Sequence, residues 1–134
     1  MQTVDAERVI VDALRAGRRV GWTVRGSSMW PAVRDGAVVD VDPSGLEGLR
    51  AGDLVAYERA GKVIVHRVVT VLPAGLRCRG DAVAVDDPFV PRTSVLGRAT
   101  VRTQRALGLR VPRPREFGAV LRALRGAVRG AWRR

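Results

Sequence analysis

The chain has 134 residues, of which 46% are hydrophobic and 28% charged, and its formal net charge is +11 at neutral pH. This length predicts one domain with its own core, and the single Cys excludes an internal disulfide. Residues 105–134 hold nine Arg and one Glu, which leaves a balance of only +3 for the first 104 residues.

The hydropathy pattern shows neither a run of about 18 apolar residues nor a basic start followed by an apolar block. We therefore expect no transmembrane span and no signal peptide, and a protein that lies in the cytoplasm or at the periphery of a membrane. The charge distribution separates a nearly balanced body from a basic tail.

An amphipathic pattern predicts an N-terminal helix over residues 3–16, with Thr3 or Asp5 as its cap and Gly17 at its end. We assign residues 1–17 to this helix and residues 18–104 to a β-domain. Short apolar runs then predict strands, and Ala60-Gly61 predicts a hairpin turn. The predicted strands cover residues 18–25, 37–41, 53–59, 62–72, 76–79 and 95–102, with an irregular acidic loop over residues 80–91. Many short strands with closely spaced turns predict a mainly β fold of the sandwich or barrel-like kind.

Two prolines in Pro112-Arg113-Pro114 interrupt the pattern, so residues 105–114 are predicted to be a linker. Residues 115–134 have apolar side chains at spacings of three and four among many Arg, which predicts a basic amphipathic helix. Such a helix can lie on a membrane surface, or pack on the β-domain or on a second copy. Nucleic-acid contact through its Arg side chains is an alternative that we do not favour.

The chain reads Gly-Ser-Ser-Met-Trp-Pro over residues 26–31, directly after a predicted strand. Pro31 restricts the backbone and disfavours a helical conformation at Trp30. The two hydroxyls therefore lie on a constrained turn at a strand end, where a rigid scaffold can hold a nucleophile. An ordinary Ser-rich turn has the same composition, so this stretch alone does not identify a site.

Two later stretches contain groups that can work with a Ser. The only His of the chain, His66, lies inside an apolar β-rich run, and three carboxylates follow at Asp81, Asp86 and Asp87. Ser, His and Asp are the side chains of a nucleophile, a base and a group that orients the base. A structural His in the core and Asp side chains that cap turns remain alternatives.

These stretches resemble boxes of the type I signal peptidases and their LexA-like relatives. Residues 26–31 resemble the Ser-Met-x-Pro box, residues 35–36 and 52–57 the Gly-Asp turns after it, and residues 65–69 the box of the base. Most bacterial members have Lys as the base, whereas the endoplasmic-reticulum, archaeal and sporulation-type members have His, as here. Residues 80–87 resemble the acidic box of that His-using branch.

The resemblance runs from about residue 20 to about residue 101, with two departures. Ala32 replaces the Thr that is common after the Pro of the Ser box, and the spanning helix of the family has no counterpart in the pattern. The resemblance implies a LexA/signal-peptidase-like β-fold. It also implies a serine endopeptidase that cleaves a precursor or leader peptide after small residues, through an acyl-enzyme.

By this resemblance Ser28 is the nucleophile, His66 the base and Asp87 the acid that orients it. The remaining assignments are Asp81 and Asp86 as supporting acids, Gly26 and Ser27 as the oxyanion turn, and Met29 in the substrate pocket. No metal or other cofactor is expected, and the expected partners are a peptide or protein precursor and a membrane surface.

Several alternatives stay open at this point. Lys62 is the only Lys, and so the only candidate for a Ser-Lys pair. Cys78 can be a nucleophile beside His66, although a buried strand Cys is the interpretation we favour. The whole chain can also be a catalytically silent binding domain whose basic tail contacts nucleic acid or an acidic partner, or a self-cleaving LexA-like regulator.

Overall fold

The computed structural model describes residues 5–103, which form a β-sheet with a short helix at the start. The helix, α1 (Ala6–Arg15), is capped by Asp5, whose carboxylate accepts a hydrogen bond from the Glu7 N–H. Thr3, the other predicted cap, lies outside the described residues. The strands are β1 (Val20–Thr23), β2 (Val38–Pro43), β3 (Leu54–Arg59), β4 (Lys62–Leu72), β5 (Gly75–Arg79), β6 (Val90–Pro91) and β7 (Val95–Thr103).

Across these residues the seven strands form one antiparallel sheet in the order β1-β2-β7-β3-β4-β5-β6. The sheet curls into a half-barrel, so the prediction of a mainly β fold with a short N-terminal helix is confirmed. Strands β1 and β6 are its two edges. Strands β3 and β4 lie at and beside its middle, where neighbours on both sides hold the backbone in place.

The hairpin between β3 and β4 sets the register of the central strands. Ala60 and Gly61 both have positive φ, 50° and 75°, which is the conformation of a type I′ turn. The two-residue turn pairs Arg59 with Lys62, and the same register pairs Val55 with His66. The predicted hairpin is therefore present, and its register determines where the only His lies.

Strand β6 was not predicted, because it falls inside the stretch that the sequence indicated as an irregular loop. Val90 pairs with Leu76 and Pro91 with Gly75. A Cβ on Gly75 would lie 2.0 Å from the Val90 carbonyl oxygen, so this pairing requires a glycine. The loop prediction was wrong at this end, since two residues are too few for a recognisable alternation.

The two faces of the sheet contribute to two hydrophobic cores. Along β4, Val63 and Val65 belong to one core, whereas Ile64 and Val68 belong to the other, as expected where side chains alternate between faces. Helix α1 adds Val11 and Leu14 to the first core. Burial of a side chain of this size contributes about 1.5–3 kcal/mol, so the helix is anchored on the sheet.

The predicted linker (residues 105–114) and the predicted basic helix (residues 115–134) lie outside the described residues. Between residues 5 and 103, no helix is both long enough and apolar enough to cross a membrane.

Candidate functional site

The Ser-containing turn is closed at its base by backbone hydrogen bonds. Val24 N–H donates to the Ala37 carbonyl and Gly36 N–H donates to the Val24 carbonyl, each at 2.8 Å. Gly26 has a φ of 90°, a conformation that glycine adopts without steric cost. Its N–H donates to Asp35 Oδ1 at 2.8 Å. The turn therefore leaves β1 and returns to β2 in one defined shape.

The bond from Gly26 to Asp35 changes one predicted role. An N–H that donates to a carboxylate is not free to hold an oxyanion, so Gly26 shapes the turn instead. Ser27 is exposed, and its carbonyl accepts a hydrogen bond from the Trp30 N–H at 3.1 Å. Among residues 5–103, no acceptor pairs with the N–H of Ser28.

Met29 anchors the turn in the protein interior. Its side chain is only 1% exposed and belongs to the core that α1 covers. The Asp81 N–H approaches its sulfur at 3.3 Å. Burial of this long apolar side chain stabilises the turn beneath Ser28, and the place of Met29 in a substrate pocket stays a prediction.

Ser28 lies beside the only His. Ser28 Oγ is 2.9 Å from His66 Nε2, a hydrogen-bond distance between residues separated by 38 positions. His66 projects from the centre of β4, and its side chain is 13% exposed. With the proton on Nδ1, Nε2 has a free lone pair and can accept the Ser28 hydroxyl proton.

The second ring nitrogen of His66 lies beside Asp87. His66 Nδ1 is 2.6 Å from Asp87 Oδ2, and the Asp87 side chain is 10% exposed. The Asp87 N–H donates to the Cys78 carbonyl at 2.8 Å, which fixes the backbone of the acidic loop to β5. The structure thus brings together three predicted residues, Ser28, His66 and Asp87, through two side-chain contacts.

Asp87 is held in its ionised form. Burial raises the pKa of its carboxyl, but the hydrogen bonds from His66 and Tyr57 outweigh that effect and hold the pKa below its ordinary value. An ionised carboxylate on Nδ1 favours the tautomer that leaves Nε2 able to accept a proton, and it stabilises the imidazolium that then forms.

The other two carboxylates of the loop do not contact His66. Asp81 forms a two-pronged pair with Arg67, with Nε to Oδ1 at 3.1 Å and Nη2 to Oδ2 at 2.6 Å. Asp86 accepts from Arg79 Nε at 2.7 Å. Both pairs tie the loop to β4 and β5, so Asp81 and Asp86 support the position of Asp87 without reaching the imidazole.

The acidic loop also contacts the Ser turn directly. The Ser28 carbonyl accepts a hydrogen bond from the Ala82 N–H at 2.8 Å. Together with the contact between Asp81 and Met29, this bond joins the loop that holds Asp87 to the turn that holds Ser28. The two parts of the site are therefore positioned by each other as well as by the sheet.

Sequence reasoning missed Tyr57 and Arg59. The Tyr57 hydroxyl donates to Asp87 Oδ2 at 2.6 Å, and the Arg59 guanidinium lies 5.1 Å from the centre of the Tyr57 ring. The position of the hairpin turn could have indicated Tyr57 from the sequence alone. A two-residue turn at Ala60-Gly61 pairs Val55 with His66. Tyr57 lies two residues after Val55 on β3, and so on the same face of the sheet as His66.

The two alternative reactive groups lie elsewhere. Lys62 is 74% exposed and pairs with Glu7 at 3.3 Å. Cys78 is fully buried, as predicted, and burial raises the pKa of its thiol to about 12, with a further contribution from Asp87. A thiol in that state is a poor nucleophile at neutral pH.

A cleft of about 340 Å³ opens beside Ser28 and His66. Its walls include Trp22 and Val24 from the edge-strand side, and Ile64 and Val65 from β4. The arrangement is a nucleophile, a base and an orienting acid at the side of a largely apolar groove, which suits attack on a carbonyl of an extended chain. Within the described part of the chain, no His, Cys, Asp and Glu side chains cluster as metal ligands would.

A scan against protein-family models finds no match for this chain, and a comparison with curated protein sequences finds none either.

Proposed function

We propose that the protein is a serine endopeptidase of the signal-peptidase type, which cleaves a precursor or leader peptide by a Ser-His-Asp mechanism. The observation that supports this best is the continuous pair of contacts, 2.9 Å from Ser28 Oγ to His66 Nε2 and 2.6 Å from His66 Nδ1 to Asp87 Oδ2. Each ring nitrogen of His66 thus faces a group with a role in catalysis, a hydroxyl at Nε2 and a carboxylate at Nδ1.

The chemical steps follow from these contacts. Ser28 Oγ attacks the scissile carbonyl carbon while His66 Nε2 takes the hydroxyl proton, and Asp87 stabilises the resulting imidazolium. The C–N bond then breaks, and His66 returns the proton to the leaving amine. A water molecule, activated by the same nitrogen, hydrolyses the acyl-enzyme and restores Ser28.

The oxyanion of the tetrahedral intermediate needs a donor close to Ser28. The backbone N–H of Ser28 is the group we assign to this role, because no acceptor among residues 5–103 pairs with it. The N–H of Gly26 already donates to Asp35. A second donor to the oxyanion therefore has to come from Ser27, or from a group that approaches Ser28 only when the substrate is bound.

The groove supports an extended peptide as the substrate. Strand β1 is an edge of the sheet, and Trp22 on that strand lines the cleft. An edge strand can accept a peptide as an additional strand, so that backbone hydrogen bonds provide affinity and side-chain pockets provide selectivity. By the resemblance stated above, small residues precede the cut.

Labelling with a serine-reactive probe tests the proposal. We expect the wild type to be labelled and the Ser28→Ala and His66→Ala variants to be unlabelled, with far-UV circular dichroism unchanged. Ser27→Ala is the matched control for the adjacent hydroxyl, and Lys62→Ala is the control for a Ser-Lys pair; both should label like the wild type.

Three results would reject the proposal. Equal labelling of Ser28→Ala and wild type would move the nucleophile elsewhere. A wild type that neither labels nor cleaves leader peptides would favour a silent binding domain. Loss of labelling in Lys62→Ala, with His66→Ala still labelled, would assign the base to Lys62 and the site to the Ser-Lys type.

A further inference from the structure

Tyr57 and His66 contact the same carboxylate oxygen. The Tyr57 hydroxyl donates to Asp87 Oδ2 at 2.6 Å, and His66 Nδ1 lies 2.6 Å from that oxygen. Tyr57 is completely buried. Its ring lies edge-on to the imidazole with 6.4 Å between ring centres. The phenol therefore lies within the catalytic arrangement, although the mechanism above does not use it.

We propose that Tyr57 is a positioning residue for the Ser28–His66–Asp87 set, whose hydroxyl holds one oxygen of Asp87 on His66 Nδ1. This inference rests on the proposed function. A carboxylate with a single donor can rotate about its last bond and exchange its two oxygens. A second donor on the same oxygen restricts that rotation, and so it keeps the imidazole in the orientation that faces Ser28.

Arg59 directs the phenol proton towards Asp87. Arg59 Nη1 lies 3.4 Å from the Tyr57 hydroxyl oxygen, at the long end of hydrogen-bond distances. Its Nη2 donates to the Pro88 carbonyl at 2.7 Å. Because guanidinium groups only donate, the Tyr57 oxygen accepts from Arg59 and its one proton points to the carboxylate. Arg59 also holds the residue after Asp87.

Within residues 5–103, few charged and titratable groups surround Asp87. They come from β3 (Tyr57 and Arg59), from β4 (His66), from β5 (Cys78) and from the adjacent residue (Asp86). Burial, followed by the bond to Asp87, raises the pKa of Tyr57 well above its ordinary value, so the phenol stays protonated and remains a donor. Removing it takes away one of the two donors that keep Asp87 ionised.

The variant that tests this is Tyr57→Phe, which keeps the ring in the core and removes only the hydroxyl. Val95→Ala is the matched control: Val95 lies opposite Tyr57 on β7 and is buried in the same core, but it has no polar group to offer Asp87. The two variants therefore separate loss of packing from loss of the hydrogen bond.

We expect the Asp87 carboxyl carbon, followed by NMR, to titrate at higher pH in Tyr57→Phe, by about one pH unit. We expect kcat to fall about tenfold with KM unchanged. Val95→Ala should leave the Asp87 titration unchanged.

A second measurement keeps the test open if Tyr57→Phe does not fold. Tyr57 is the only Tyr of the chain, so the NMR signal of its Cζ carbon can be followed without overlap. At neutral pH this signal should differ between wild type and Asp87→Asn, because the phenol no longer donates to a carboxylate in the variant.

An unchanged Asp87 titration in folded Tyr57→Phe, or an identical Tyr57 Cζ signal in Asp87→Asn and wild type, would overturn the role of Tyr57. Those readings need no turnover, so they distinguish this failure from a failure of the proposed function, which would appear as a wild type that does not react with the serine probe.

Discussion

Gly80 lies directly against the backbone of Ser28. A Cβ on Gly80 would be 2.7 Å from the Ser28 carbonyl oxygen and 3.1 Å from Ser28 Cβ. The same carbonyl accepts the Ala82 N–H at 2.8 Å, so the acidic loop rests on the Ser turn at the one residue that has no side chain. This close approach joins the start of the acidic loop to the turn that holds Ser28.

We predict that Gly80→Ala separates the Ser turn from the acidic loop and lowers kcat by about two orders of magnitude, because small displacements of reacting groups are costly. Peptide cleavage or the rate of probe labelling measures the effect. Gly48→Ala is the control, since a Cβ there meets Ser44 Cβ only at 3.4 Å, an ordinary contact. Full activity of Gly80→Ala would show that the turn adjusts without consequence.

The three loop carboxylates should differ in what they affect. Asp87→Asn should lower kcat by about two to four orders of magnitude, since an amide on Nδ1 favours the wrong tautomer. Asp81→Asn removes one partner of a half-buried pair with Arg67, and should mainly lower the free energy of unfolding, by about 1–2 kcal/mol. Asp86→Asn should have the smallest effect on kcat, because the Asp86 side chain is 35% exposed and is the most accessible of the three.

Kinetics and denaturant unfolding of the three Asn variants, measured side by side, check this order. The assignment of Asp87 as the orienting acid would be lost if Asp81→Asn or Asp86→Asn reduced kcat more than Asp87→Asn does, at equal folded fraction.

The lowered pKa of Asp87 predicts a pH dependence of stability. The folded-state pKa is below that of the unfolded chain. The contribution is therefore fully present above the ordinary Asp value of about 4, and it is lost as the pH falls through the folded-state pKa. The gap in unfolding free energy between wild type and Asp87→Asn should therefore be larger at pH 6 than at pH 3. A gap that is constant or that grows on acidification would contradict this sign.

The basic tail remains a prediction from sequence. We expect the intact chain to sediment with vesicles that contain anionic lipid at low salt, and a chain that ends at Pro112 to remain free. Each Arg near such a surface contributes about 1 kcal/mol, which salt screens. A full-length variant with Leu121, Leu124 and Trp132 replaced by Ser is the control for the apolar stripe. Equal binding by the intact and shortened chains would remove the membrane role.

Local structure was largely predictable from the sequence. The pattern placed α1 to within three residues of its start, and Ala60-Gly61 predicted a hairpin whose register pairs Val55 with His66. The helix and the hairpin depend on contacts close in the chain, or on alternation along a single strand, and both are visible in a linear pattern. His66 is the only His of the chain, whereas Ser28 and Asp87 were chosen among neighbouring hydroxyls and carboxylates through the family resemblance, not through the residue pattern.

The tertiary structure decided which groups meet. Whether Asp81, Asp86 or Asp87 reaches His66 depends on Arg67 and Arg79, which bind the other two acids from different strands. Burial of Met29, the bond from Gly26 to Asp35, and the contact of Tyr57 with Asp87 depend in the same way on residues brought together by the curl of the sheet. Sequence periodicity determines which face a side chain occupies, but it does not determine which distant side chain lies opposite, because that depends on strand order and loop packing.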